Sequence, residues 1–132
     1  HSSKFLDKPL VNSSKDIADF LQNSLEDKKH EVFIVVLLNQ ANKVISYETV
    51  SVGGLTCTIV DPRLIIKKAL LADAVKIILC HNHPSGSLKP SKADEQITNM
   101  VKEAALLMDI RLIDHLIISD EGYYSFSDNG KL

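Results

Sequence analysis

Two histidines one residue apart, His81 and His83, with Ser91 and Asp94 downstream, are the residues of this chain whose types and spacing could do chemistry. They sit at the end of an apolar run, Val75-Lys76-Ile77-Ile78-Leu79-Cys80, that reads as a short buried strand. Strand side chains alternate between faces, so His81 and His83 point one way while Cys80 and Asn82 point the other. Pro84-Ser85-Gly86 stops the strand and turns the chain. Ser91-Lys92-Ala93-Asp94 then opens a helical pattern, with Ser91 as its cap. Two imidazoles on one strand face and a carboxylate in the first turn of the next helix can converge on one cation. Zn2+ accepts such a nitrogen and oxygen ligand set, with a fourth position open to water.

Each feature alone has a plainer explanation, since a Pro-Ser-Gly turn followed by a capping box is ordinary loop chemistry. The joint spacing is more specific: His-x-His, seven residues, Ser, two residues, Asp. This pattern resembles the signature of the JAMM (MPN-type) metalloproteases, and the longer string His81-Asn82-His83-Pro84-Ser85-Gly86 resembles the bacterial RadC-type branch. The similarity runs from about Ser13 to Ser125-Phe126 and Gly130. It implies an α/β single-domain JAMM/MPN-like sandwich, a mixed β-sheet flanked by helices, with a zinc-dependent hydrolase site. His81, His83 and Asp94 would be the metal ligands. The resemblance implies no particular substrate; because relatives in the superfamily cut isopeptide bonds, a peptide or isopeptide is the expectation.

Water activated by a metal needs a general base outside the ligand set. Two carboxylates are candidates. Glu31 opens an apolar run, where the resemblance places the glutamate that handles the water proton; Glu48, in the following strand, is the second choice. Ser91 takes a further role by resemblance, donating a hydrogen bond to a carbonyl oxygen as it becomes an oxyanion. Asp114-His115, in a later strand, is also a string shared with RadC-type proteins. The two point to opposite faces, so at most one approaches the site, and a satisfied, partly buried pair is the expectation. Cys80 faces away from His81 and is excluded as a ligand.

The positioning elements follow in chain order. Residues 1–12 lack periodicity and read as a loose lead-in, with 13–132 the domain. Ser13 and Asp16 start a helix whose apolar face is Ile17, Phe20, Leu21 and Leu25, ending near Lys28. Glu31 to Leu38 is a strand buried on both faces, and Val44 to Val52 returns until Gly53-Gly54 breaks it. Asp61-Pro62 opens a second helix through Leu64, Ile65, Lys68, Ala69 and Ala72. Beyond the motif, Ile97, Val101, Ala104, Ala105 and Met108 form one helical stripe. Arg111 to Ile118 is a strand, and Asp120-Glu121-Gly122 turns it into Tyr123-Tyr124-Ser125-Phe126.

Composition narrows the classes. The 132 residues are 45% hydrophobic and 24% charged, which suits one folded domain and excludes a disordered chain. No apolar run approaches the roughly 20 residues that span a bilayer. The chain starts His1-Ser2-Ser3 without methionine, so a fragment or a processed protein is the expectation. Two cysteines, Cys57 and Cys80, give no disulfide framework, so a cytoplasmic location is expected. A net charge of −2 and an absence of Trp weigh against direct nucleic-acid binding. So does the lack of the N-terminal helical region that longer RadC-type proteins carry. The alternative to an enzyme is a non-catalytic, metal-stabilised interaction module of DNA repair or replication complexes.

Overall fold

The computed structural model describes residues 2–4, 9–25, 29–52 and 60–132. Its elements are β1 (Ser2–Lys4), α1 (Ser14–Leu25), β2 (Val32–Leu38), β3 (Val44–Val52), α2 (Pro62–Leu71), β4 (Lys76–Asn82), α3 (Lys92–Leu107), β5 (Arg111–Ser119) and β6 (Gly122–Ser125). Among the described residues the strands form one mixed sheet of order β1-β3-β2-β4-β5-β6, in which only β4 and β5 run parallel. The parallel pair is joined through α3, as a parallel connection requires.

Alternation along the central strands splits the core in two. Phe33, Val35 and Leu37 of β2 and Ile77 and Leu79 of β4 face α2 and α3, meeting Ile65, Ala69, Ile97, Val101 and Ala105. Ile34, Val36 and Leu38, with Ile78 and Cys80, face α1 and meet Ile17, Ala18, Leu21 and Leu25. The architecture is therefore the expected sandwich: one helix, a mixed sheet, and two helices. Among the described residues no helix is long and apolar enough to cross a membrane.

Local chemistry sets the helix ends. Ser13 and Asp16 bond reciprocally at the start of α1, with Ser13 N–H donating to Asp16 Oδ2 at 3.2 Å and Asp16 N–H to Ser13 Oγ at 3.4 Å. Asp61 caps α2 by accepting the Arg63 N–H at 2.9 Å, with Pro62 in the first turn. Helices α2 and α3 end alike. Asp73 and Asp109 adopt the left-handed conformation, and Ala74 and Ile110 N–H bond back to the carbonyls of Ala69 and Ala105 at 2.9 Å. Both ends feed directly into the parallel strands.

Three expectations need correction. The lead-in over 1–12 is not simply loose: Ser2–Lys4 pairs with β3, Leu10 bridges Lys43, and Val11 is buried against α1. Backbone pairing at a sheet edge leaves no apolar pattern in Ser-Ser-Lys. Met108 leaves its stripe, because it is the C-cap of α3 and 56% exposed. Asp114 and His115 are both buried, at 6% and 0% exposure, in place of the expected partly buried pair. Helix α1 is described to Leu25, and Lys28, Gly53-Gly54 and Cys57 lie outside the described residues.

Candidate metal centre

The site forms where β4 ends and α3 begins. His81 is the penultimate residue of β4, on the face toward α2 and α3, and is fully buried. Its ring stacks on Phe33 of the neighbouring strand, with centroids 5.6 Å apart and planes 7° from parallel. His83 lies just past the strand, and its Nδ1 is 2.7 Å from the Ser87 carbonyl oxygen. A carbonyl only accepts, so Nδ1 carries the hydrogen and Nε2 is turned toward His81. Their Nε2 atoms are 3.0 Å apart.

Asp94 reaches the same point from the first turn of α3. Ser91 N–H donates to Asp94 Oδ2 at 2.8 Å, and Asp94 N–H donates to Ser91 Oγ at 3.1 Å, a reciprocal capping box. The box leaves Oδ1 facing His81 Nε2 at 3.2 Å, with Oδ2 at 3.4 Å from His83 Nε2. Burial by itself pushes the Asp94 carboxyl up. The facing imidazoles of His81 and His83, together with the Ser91 N–H, outweigh it and hold the group well below the usual carboxylate range. The contact with Asp94 raises His83, while burial depresses His81.

These residues fit a metal ion on three counts. Donor atoms about 2.0–2.1 Å from a tetrahedral zinc lie about 3.3–3.4 Å from one another; the two Nε2 atoms are 3.0 Å apart, Asp94 brings Oδ1 to 3.2 Å from one and Oδ2 to 3.4 Å from the other, and one ligand atom from each residue lies within 4.8 Å of the rest. Asp94 Oδ1 is buried without a hydrogen-bond partner, a condition that costs about 1–3 kcal/mol or more if nothing compensates. The donor set is two imidazole nitrogens and one carboxylate oxygen, and it is the cluster able to hold an ion among the described residues.

The remaining candidates separate. Phe33 pairs with His81, and continuing that register by two residues sets Glu31 across from His83. The Glu31 carboxylate is close enough for its charge to favour the protonated forms of both imidazoles. Glu48 instead lies beside α2, in a half-buried ion pair with Lys68 at 2.8 Å. Cys80 is buried on the opposite face, among the α1 contacts, where burial drives its thiol pKa up.

Two residues gained no chemistry from sequence reasoning. Asn82 points to the α1 face, accepting the Val32 N–H at 2.6 Å and donating to the His30 carbonyl at 3.2 Å. Its amide thus continues the β2–β4 ladder past its last backbone pair and grips the chain on both sides of Glu31. His115 Nε2 is 2.8 Å from His81 Nδ1, and its ring stacks on Phe126 at 4.7 Å. Burial holds His115 well below the ordinary imidazole range. A register shift explains its position: Ile77 pairs with Leu112 but Ile78 with Asp114, so Ile113 is an extra residue in β5. The insertion restores the parity that turns His115 to the site and Asp114 away, into bonds with Ser125 Oγ at 2.7 Å and Ser127 N–H at 3.0 Å.

Fold and cluster together define an α/β domain with a His-His-Asp cluster that could hold a metal ion. Residues 11–131 match the model of the RadC-like JAB domain, and the chain belongs to that family. It is 49% identical over 120 residues to a UPF0758 protein of Flavobacterium johnsoniae, covering 91% of this chain and 52% of that protein. It is 41% identical over 117 residues to one of Pasteurella multocida, covering 89% and 52%, and 38% identical over 122 residues to one of Chlorobaculum parvum, covering 92% and 55%. The chain spans about half the length of these curated relatives.

Proposed function

We propose that this domain is a zinc-dependent hydrolase of the JAMM type, acting on an amide bond in a peptide or isopeptide. The observation that carries the reading is the unpartnered Asp94 Oδ1, buried 3.2 Å from the Nε2 of a buried histidine. Zinc held by His81, His83 and Asp94 would supply a Lewis acid for the carbonyl and a water acidified toward neutral pH. The chain's own residues supply the proton handling and the charge stabilisation. Glu31, anchored on both sides by Asn82, is the base that takes the water proton and returns it to the leaving nitrogen. Ser91 accepts the Asp94 N–H through an oxygen lone pair, so its exposed O–H remains able to donate to a carbonyl oxygen gaining charge. Helix capping and oxyanion donation therefore do not compete.

A second reading, a metal-stabilised interaction module, is favoured by one feature. Leu70, Leu71, Leu107 and Met108 are half or more exposed around an apolar groove of about 530 Å3 between α2 and α3. One experiment separates the two. Zinc-loaded protein is screened against peptide and isopeptide substrates, beside Glu31→Gln and Glu48→Gln. The enzyme reading expects hydrolysis by the parent and by Glu48→Gln, and a loss of at least about 100-fold in Glu31→Gln with zinc retained. Turnover that survives Glu31→Gln but not Glu48→Gln would reverse the assignment. No turnover on any substrate would support the module.

A further inference from the structure

His115 is not one of the converging donors, yet it is fully buried with both ring nitrogens engaged. The direction of each bond follows from one fixed point. The Asp94 carbonyl can only accept, so Thr98 Oγ1, at 2.6 Å, donates its single hydrogen there. Toward His115 Nδ1, at 2.5 Å, the same hydroxyl can then only accept, and Nδ1 carries the hydrogen. A fully buried imidazole with no carboxylate against its ring nitrogens is neutral, which makes His115 Nε2 a lone pair. His81 Nδ1, at 2.8 Å, must donate to it. The hydrogen of His81 is thereby drawn to Nδ1, and its Nε2 lone pair faces His83 and Asp94.

We infer that His115 and Thr98 are positioning residues, a relay that fixes His81 as its Nδ1–H form and presents its Nε2 lone pair to a divalent cation. The relay starts on one side chain of the cluster and ends on the backbone of another, Asp94. It thus ties β4 to α3 through β5, beneath the site. Phe33 and Phe126 stack on the two rings and fix their planes, at 7° and 9°. An outer partner of this kind raises the basicity of a ligating imidazole and sets its orientation. The purpose assigned to the lone pair rests on the metal reading above; the tautomer itself does not.

The test therefore has two arms. In the metal-free protein, with 15N-labelled histidine, long-range proton–nitrogen correlation spectra should show His81 protonated at Nδ1 and bare at Nε2. Thr98→Val removes the hydroxyl, frees the His115 ring to change tautomer, and should leave His81 in a mixture of forms. Zinc affinity, measured by competition with a chromophoric chelator, should weaken by about 10–100-fold in Thr98→Val and return to the parent value in Thr98→Ser. His81 found protonated at Nε2 in the parent would overturn the relay without any variant. So would a Thr98→Val protein with parental tautomer and zinc affinity. A parent that binds no zinc, yet shows the expected tautomer and loses it in Thr98→Val, would sink the metal reading and leave the relay standing.

Discussion

The Asp94 carboxylate divides its oxygens between folding and chemistry. Oδ2 closes the capping box on the Ser91 N–H, and the box aims Oδ1 at His81, where no hydrogen-bond donor satisfies it. The partner in that box, Ser91, is split in the same way between an accepting lone pair and a donating hydrogen. Substitution distinguishes the two. Glycine is a tolerable N-cap and costs only a few tenths of a kcal/mol, whereas alanine costs about 1 kcal/mol. Both lack the hydroxyl, whose loss as an oxyanion donor typically costs about 3 kcal/mol of barrier. Ser91→Gly should therefore melt within a few degrees of the parent while turnover falls about 100-fold or more. Parental turnover in Ser91→Gly would confine the hydroxyl to capping.

At the scale of elements, the site depends on how β4 ends. Its last residue, Asn82, uses a side-chain amide in place of the next backbone pair, and so holds the His30–Val32 segment against the strand. Asn82→Ala should leave the Val32 N–H and His30 carbonyl without their partner, at a cost of about 1–3 kcal/mol by chemical denaturation. Zinc binding should persist, because Asn82 points away from His81, while turnover drops through misplacement of Glu31. A variant as stable and as active as the parent would show that the amide does not position the base.

The strand endings also explain what the sequence made legible. His81, His83, Ser91 and Asp94 were readable because strand parity and one helical turn bring them together locally. The roles of Asn82 and His115 depend on neighbours in space. Asn82 binds a segment 50 residues earlier. His115 faces the site only because Ile113 is an extra residue in β5, and no residue type at 112–115 announces the shift. β1 leaves no mark in the residue pattern for a related reason, since it joins through its backbone to the edge of the sheet.

For the molecule as a whole, the cluster is a junction. His81 belongs to the sheet, Asp94 to a helix packed on it, and His83 to the loop between them. A cation bound there would cross-link the layers of the sandwich and stabilise the folded state by mass action, by about 2.7 kcal/mol at a free concentration 100 times its Kd. Chelation should accordingly lower the melting temperature by several degrees, and adding zinc back should restore it. The same junction offers the most direct measurement of the central claim: elemental analysis of the zinc-reconstituted protein, with His83→Ala and Asp94→Ala in parallel. The account predicts one zinc ion per parent chain and less than a tenth of that in either variant. Zinc absent from the parent, or retained equally by both variants, would contradict it.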